Sequence, residues 1–281
     1  LLRGGVSIED CFPAKFLSDQ GLVGLITALD QIHFPKSLED SQTARNRLAF
    51  DEIFIMLLKS QINRNKIENQ KPNFCFELSK HQNQLNKFIE SLPFKLTGDQ
   101  LSAVDEILKD LSGLKPMNRL LQGDVGSGKT VVAAIAALAA HLQGFKTLYM
   151  APTEILATQH YQTLKKFLEP FGLNIGLLTS STSKNPEFKI SSASRSDQIM
   201  VGTHALLYNL EKSKEIGWVI IDEQHKFGVQ QRTQLLELSK DSAKLPHLLT
   251  MPATPIPRTL ALTIFGDLDI TFINQMPRDR I

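Results

Sequence analysis

Cysteine is scarce in this sequence, no apolar run is long, and net charge is almost absent; each shortage closes off a class of protein. The two cysteines among 281 residues, Cys11 and Cys75, stand far apart with no metal-ligand spacing around them. That excludes a disulfide framework and a thiolate zinc site. The longest apolar run, Val131 to Ala140, is far too short to span a bilayer, and Leu1 to Asp10 carries no signal-peptide core. No membrane association is expected, and the cytoplasm is the expected compartment. A formal net charge of +2 with a pI near 8.5 is too mild to announce nucleic acid, so any such partner must be argued from motifs. What is plentiful is core material: 42% of the residues are hydrophobic, ample for one or two domains at this length. The leucine at position 1 and the abrupt end at Ile281 suggest a piece of something longer.

The stretch that organises the chain is Gly123 to Thr130, Gly-Asp-Val-Gly-Ser-Gly-Lys-Thr, with the P-loop spacing of glycine, four residues, glycine, lysine and serine or threonine. It follows a short apolar strand candidate, Met117 to Gln122, and opens into the alanine-rich helix candidate Val131 to His141. Such a loop holds a nucleoside triphosphate. Gly126 and Gly128, with Gly123 and Ser127 in the same loop, let backbone amides turn towards phosphate oxygens. Lys129 would reach the terminal phosphates, and the Thr130 hydroxyl would serve magnesium. A plain glycine-rich turn before a buried helix is the bland alternative, and spacing and flanks both argue against it.

The amino-terminal third differs from the rest. Leu38 to Ile62 carries Phe50, Ile53, Phe54, Leu57, Leu58 and Ile62 at helical spacing, so one face of that helix is expected to pack. Arg45 and Arg47 just before the stripe are assigned no function. Asn63 to Asn86 is rich in Asn, Gln and Lys around the apolar Phe74 to Phe76, which suggests a surface connection and a domain boundary near Leu92. Beyond it, Thr147 to Ala151, Asn174 to Leu178, Gln198 to Val201, Trp218 to Ile221 and His247 to Met251 are strand candidates alternating with helix candidates. That rhythm predicts an α/β fold with a mostly parallel sheet covered by helices on both faces, and ligands at the carboxyl ends of its strands. Ser180 to Asp197, serine-rich and polar, interrupts it.

A second cluster, Asp222, Glu223, Gln224 and His225, stands directly after Trp218 to Ile221. Asp222 at the strand tip can hold magnesium, and Glu223 can orient and deprotonate the water that attacks the terminal phosphate. An isolated acidic pair would be surface decoration; the position after a buried strand, past a P-loop, reverses that. Gln224 and His225 could sense the phosphate, or simply cap a helix start.

Taken in order, Leu120 to Thr130, Met150 to His160, Val201 to Leu206, Asp222 to Val229 and Ala253 to Leu260 resemble the motifs of the first motor lobe of superfamily-two helicases, most closely the RecG fork-reversal helicases. The resemblance implies a RecA-like P-loop NTPase lobe over residues 93–281. It implies a helical linker region over residues 1–92, carried by Ile32 to Pro35 and Arg45 to Phe54. It makes Phe94 to Gln100 the motif whose glutamine contacts adenine, with Phe94 beside it, although Thr97 also suits a helix cap. It adds Thr254 and Arg258 to Gln224 and His225 as residues coupling nucleotide to movement. DNA phosphates would be met by Pro152, Thr153 and Glu154 and by Gly202, Thr203 and His204, residues equally suited to capping helices.

Three departures from the family pattern stand out: Pro252 before Ala253-Thr254, Lys226 in place of arginine, and no glycine in Thr179 to Ser181. The resemblance implies ATP and magnesium as cofactors, branched double-stranded DNA as partner, and a monomer acting at stalled forks and recombination junctions. It also implies a wedge domain and a second motor lobe outside these residues, whose arginines complete the site, so this chain alone would be almost inactive. Alternatives stay open: a nucleotide- or DNA-binding fragment without turnover, suggested by Pro252; an RNA helicase, since phosphate contacts do not distinguish sugars; or a transcription-repair coupling factor, although that family typically has Asp-Glu-Glu-His where this chain has Asp-Glu-Gln-His.

Overall fold

The computed structural model describes residues 9–179, 197–203, 206, 215–222, 244–252, 257, 261 and 265–277. By internal contacts the chain divides into two compact units, Leu1–Ile62 with Thr259–Gly266, and Asn63–Arg258 with Asp267–Ile281.

The first unit is helical: α1 (Ala14–Asp19), α2 (Leu25–His33) and the amino-terminal part of α3 (Leu38–Glu68). Its organising residue is Arg47, fully buried. The guanidinium donates to both carboxylate oxygens of Asp10 at 2.9 and 2.8 Å, to Asp51 at 2.9 Å and to the Val23 carbonyl at 2.8 Å. A bidentate pair with four of the five N–H donors engaged is what allows a charge to be buried. The stripe expected to pack does not: Ile53, Phe54, Leu57, Leu58 and Ile62 are each between 37% and 47% exposed. The period predicted the helix correctly, but only its end near Phe50 and Phe54 gathers aromatic neighbours, from Phe12 and Phe16.

The second unit holds β1 (Lys71–Pro72), α4 (Leu78–Ser91), α5 (Gly98–Leu111), β2 (Asn118–Gly123), α6 (Lys129–Leu142), β3 (Lys146–Met150), α7 (Glu154–Leu168), β4 (Ile175–Leu178), β5 (Ile199–Gly202), β6 (Ile216–Asp222), β7 (Lys244–Leu245), β8 (His247–Met251) and β9 (Asp269–Ile273). Seven of the strands form one sheet in the order β4-β5-β3-β6-β8-β2-β9, and every pairing in it is parallel. Strand β9 was not among the sequence candidates; it is short and follows directly on β2's edge. The β1 and β7 dipeptides make a separate short parallel pair.

Alternation along the strands separates two clusters. Tyr149, Val201, Trp218, Ile220 and Leu249 face the side carrying α4 to α7, whereas Leu148, Met150, Met200, Val219, Ile221 and Leu248 form a cluster of their own on the other. Helix α6 is apolar all round, and accordingly Val131 to Ala140 are all buried. Residues 63–92 belong to this unit, which moves the boundary expected near Leu92. Phe74, Phe76, Leu85 and Phe88 lie in the same cluster as α6 and the sheet. The polar composition concealed this because a few large aromatic anchors suffice to bury a segment. His247 adds a polar tie, accepting the Met117 N–H at Nδ1 (2.9 Å) and bonding the Phe74 carbonyl through Nε2 (2.8 Å). Cys11 and Cys75 are free and exposed. Among the described residues no helix is long and apolar enough to cross a membrane.

Candidate functional site

The P-loop lies where the sequence places it, between the carboxyl end of β2 and the start of α6. Gly126 and Gly128 have φ of 84° and 87°, a left-handed conformation that glycine adopts without cost. Gly128 is held closely as well: a Cβ there would run into the Gln100 side-chain amide, and one on Gly123 would meet Ser127 Oγ at 2.5 Å and the Ile273 carbonyl at 2.9 Å. Lys129 folds back over the loop, donating to the carbonyls of Gly123 at 2.7 Å and Asp124 at 3.1 Å. Burial pushes its ammonium below the usual lysine range, opposed by the carboxylates of Asp222 and Asp124. Ser127 Oγ is buried without a hydrogen-bond partner.

Gln100 turns out to be a brace. Thr97 and Gln100 form a capping box: Gln100 N–H donates to Thr97 Oγ1 at 3.2 Å, and Thr97 N–H to Gln100 Oε1 at 2.8 Å. The other end of the side chain, Nε2, donates to the Ser127 carbonyl at 2.7 Å. Both ends of the amide are therefore engaged with backbone, one of them in the loop. Beside it opens a cavity of about 1090 Å³, lined among others by Phe94, Gln100, Gly126, Gly128, Thr130, Thr163 and Phe167. Phe94 meets Phe167 edge to face with ring centroids 6.2 Å apart. A further part of the cavity wall comes from Gln275, Met276 and Pro277, fastened to α5 because Asp99 accepts the N–H groups of Asn274 (2.8 Å) and Gln275 (2.9 Å). Thr163, Phe167 and this wall were not anticipated from the sequence.

Asp222 ends β6, with its side chain 13% exposed. Its Oδ2 lies 2.7 Å from His160 Nε2, and His160 Nδ1 lies 3.2 Å from the Tyr149 hydroxyl. An ionised carboxylate only accepts, so Nε2 donates to Asp222, and Nδ1 shares the second bond with the Tyr149 hydroxyl. The Tyr149 hydroxyl is pushed well above the ordinary tyrosine range, first by burial and then by the Asp222 charge, with the Thr130 side chain acting in the opposite direction. Glu223, Gln224, His225, His204, Thr254 and Arg258 lie outside the described residues.

The two segments expected to meet DNA are brought together at the carboxyl ends of adjacent strands, where Met150 pairs with Gly202 and the Ala151 N–H donates to the Gly202 carbonyl at 2.8 Å. Thr153 caps α7, accepting the Leu156 N–H at 3.3 Å, and is itself exposed. Thr203 is 7% exposed, and its N–H is used on the Leu178 carbonyl. Gly202 is a close-approach glycine, since a Cβ there would strike the Leu178 carbonyl and the Leu206 side chain. Pro252 is buried directly after β8.

The residues present fit a nucleoside triphosphate. A loop with two glycines at positive φ, a lysine across it and a buried hydroxyl that has no partner among the described residues all lie beside a cavity large enough for a nucleotide. Thr130 and Asp222 would hold magnesium; among the described residues there is no ready-made cluster of three metal-ligating side chains, as suits an ion that takes much of its shell from phosphate and water. Residues 97–263 match the DEAD/DEAH box helicase family. The chain belongs to that family. The family uses ATP. Along nearly its full length the chain is also similar to RecG helicases. It is 46% identical over 275 residues to the ATP-dependent DNA helicase RecG of Synechocystis, covering 97% of this chain and 32% of that protein. It is 44% identical to RecG of Borreliella burgdorferi, covering 96% and 38%. A solved structure of RecG bound to a three-way DNA junction superposes with a TM-score of 0.78 at 38% identity, covering 98% of this chain and 36% of that one. The chain thus spans about a third of the relatives it matches.

Proposed function

We propose that this chain is the ATP-binding motor lobe of a double-stranded DNA translocase acting on branched DNA, at stalled replication forks and recombination junctions. The observation that carries the reading is the chain-long match to junction-bound RecG at 38% identity, joined to a P-loop whose local geometry suits phosphate. In it, Lys129 and the loop amides bind the terminal phosphates, while Thr130 and Asp222 hold magnesium. Magnesium held there would supply positive charge against the phosphate oxygens during phosphoryl transfer. Glu223, next after Asp222, orients and deprotonates the attacking water. The Phe94 ring walls the base side of the cavity, and Gln100 acts on adenine indirectly, by fixing the loop. Pro152, Thr153 and Glu154, with Gly202 and its neighbours Thr203 and His204, offer a sequence-independent grip on phosphate, and Gln224, His225, Thr254 and Arg258 couple it to the nucleotide. A wedge domain and a second motor lobe beyond these residues would complete a monomeric, cytoplasmic enzyme.

Separable mutants test the roles of the two carboxylates. Glu223→Gln should keep ATP affinity and stop hydrolysis, whereas Asp222→Asn should also weaken magnesium-dependent binding. Equal loss of nucleotide affinity in both would contradict the assignment.

A further inference from the structure

Helix α7 carries the feature that the proposed function leaves unused. Ala157, Leu164 and Leu168 form its buried stripe, and His160 lies on that same stripe by helical spacing. A histidine there needs partners simply to be tolerated. Its partners, however, are specific: on one side the carboxylate of Asp222 at 2.7 Å, on the other the Tyr149 hydroxyl at 3.2 Å. The chain of hydrogen bonds therefore begins on a candidate magnesium-holding side chain and runs back to a tyrosine of β3. Tyr149 is fully buried and His160 is 15% exposed, so bulk water competes little for either bond. Tyr149 is the penultimate residue of β3, and the next helix carries His160, so a single strand-turn-helix unit supplies both links.

We propose that His160 is a positioning residue for magnesium: its Nε2–H fixes the orientation of the Asp222 carboxylate, and the Tyr149 hydroxyl at its Nδ1 holds the imidazole in that place. The proposal rests on the nucleotide reading above. Groups that orient a metal-holding carboxylate usually contribute ten- to a hundredfold to metal affinity. Because the same helix presents Thr163 and Phe167 to the nucleotide cavity and Thr153 at its amino end, a shift of α7 would be felt at Asp222 without any contact to the ion.

The experiment is the affinity of the 281-residue chain for a non-hydrolysable ATP analogue, with Mg²⁺ and with EDTA, in wild type, His160→Leu, His160→Gln and Tyr149→Phe. Expected is a roughly ten- to hundredfold loss of the Mg²⁺-dependent gain in His160→Leu, with the EDTA affinity unchanged. Recovery is expected in His160→Gln, whose amide nitrogen can donate from the place of Nε2, and a smaller loss in Tyr149→Phe. A gain as large as wild type in folded His160→Leu, or equal losses with and without Mg²⁺, would overturn the proposal. Should the leucine variant fail to fold by circular dichroism, the glutamine and phenylalanine variants decide: recovery in the first with loss in the second supports the role, and any other pattern overturns it. A wild-type chain that binds no nucleotide at all would instead sink the P-loop reading, and this proposal with it.

Discussion

Gly128 concentrates more of the site's requirements than any other residue: its φ of 87° suits glycine, and the space where a Cβ would go is filled by the Gln100 amide. Gly128→Ala should therefore cost about 1–2 kcal/mol of strain and displace Gln100 from the Ser127 carbonyl, seen as lost nucleotide affinity and a lower melting temperature; wild-type affinity would contradict the brace. His247 sets a pH dependence. Burial pushes its imidazole down to about 4, against some help from the Phe74 carbonyl. The folded chain thus refuses a proton that the unfolded chain takes up below the ordinary value of 6.5. The stability from this group is complete above that value, drains away as pH falls towards 4, and changes no further below it. The loss is about 3 kcal/mol. Urea unfolding across that window should show it, and His247→Asn should flatten the slope; an equal slope in the variant would assign the acid sensitivity elsewhere. Sequence reading reached the loop residues because their spacing is fixed by phosphate geometry. It missed His160 and Tyr149, since a hydrogen bond between residues 11 apart in sequence, on a strand and on the following helix, leaves no periodic trace.

At the scale of elements, the alternation of apolar strands and helices was enough to predict the parallel sheet, and six of its seven strands coincide with the expected ones to within a residue or two. Strand β9 escaped because its burial alternates weakly, with only Thr271 and Ile273 buried. The segment 63–92 was misjudged for the opposite reason: Phe74, Phe76 and Phe88 outweigh many polar neighbours. In the helical unit the missing signal was long-range. Asp10 and Arg47 are separated by 36 intervening residues of sequence, and only the fold reveals that Arg47 draws the Asp10 carboxyl well below the usual carboxylate range. Arg47→Leu should leave Asp10 and Asp51 without their partner and cost roughly 3–5 kcal/mol. Loss of the protected amides of α2 in hydrogen exchange, with those of β2 and α6 retained, is the expected outcome; uniform loss or no loss would show that the bridge is not the local fastening.

For the whole molecule, the chain matches about a third of the length of RecG proteins, and under the proposed function it supplies one half of a nucleotide site. Arginines supplied from a second lobe are worth on the order of a thousandfold or more in phosphoryl transfer. Residues 1–281 alone should then bind nucleotide weakly, hydrolyse it barely and unwind nothing, and turnover of several per second by this chain would contradict that. The most direct measurement is phosphate release by the full-length protein on branched and on linear duplex DNA of equal length, beside its Lys129→Ala variant. Expected is DNA-stimulated hydrolysis, stronger on the branched substrate and abolished in the variant; intact nucleotide binding with no stimulation by either DNA, or turnover undiminished in Lys129→Ala, would contradict the proposed function.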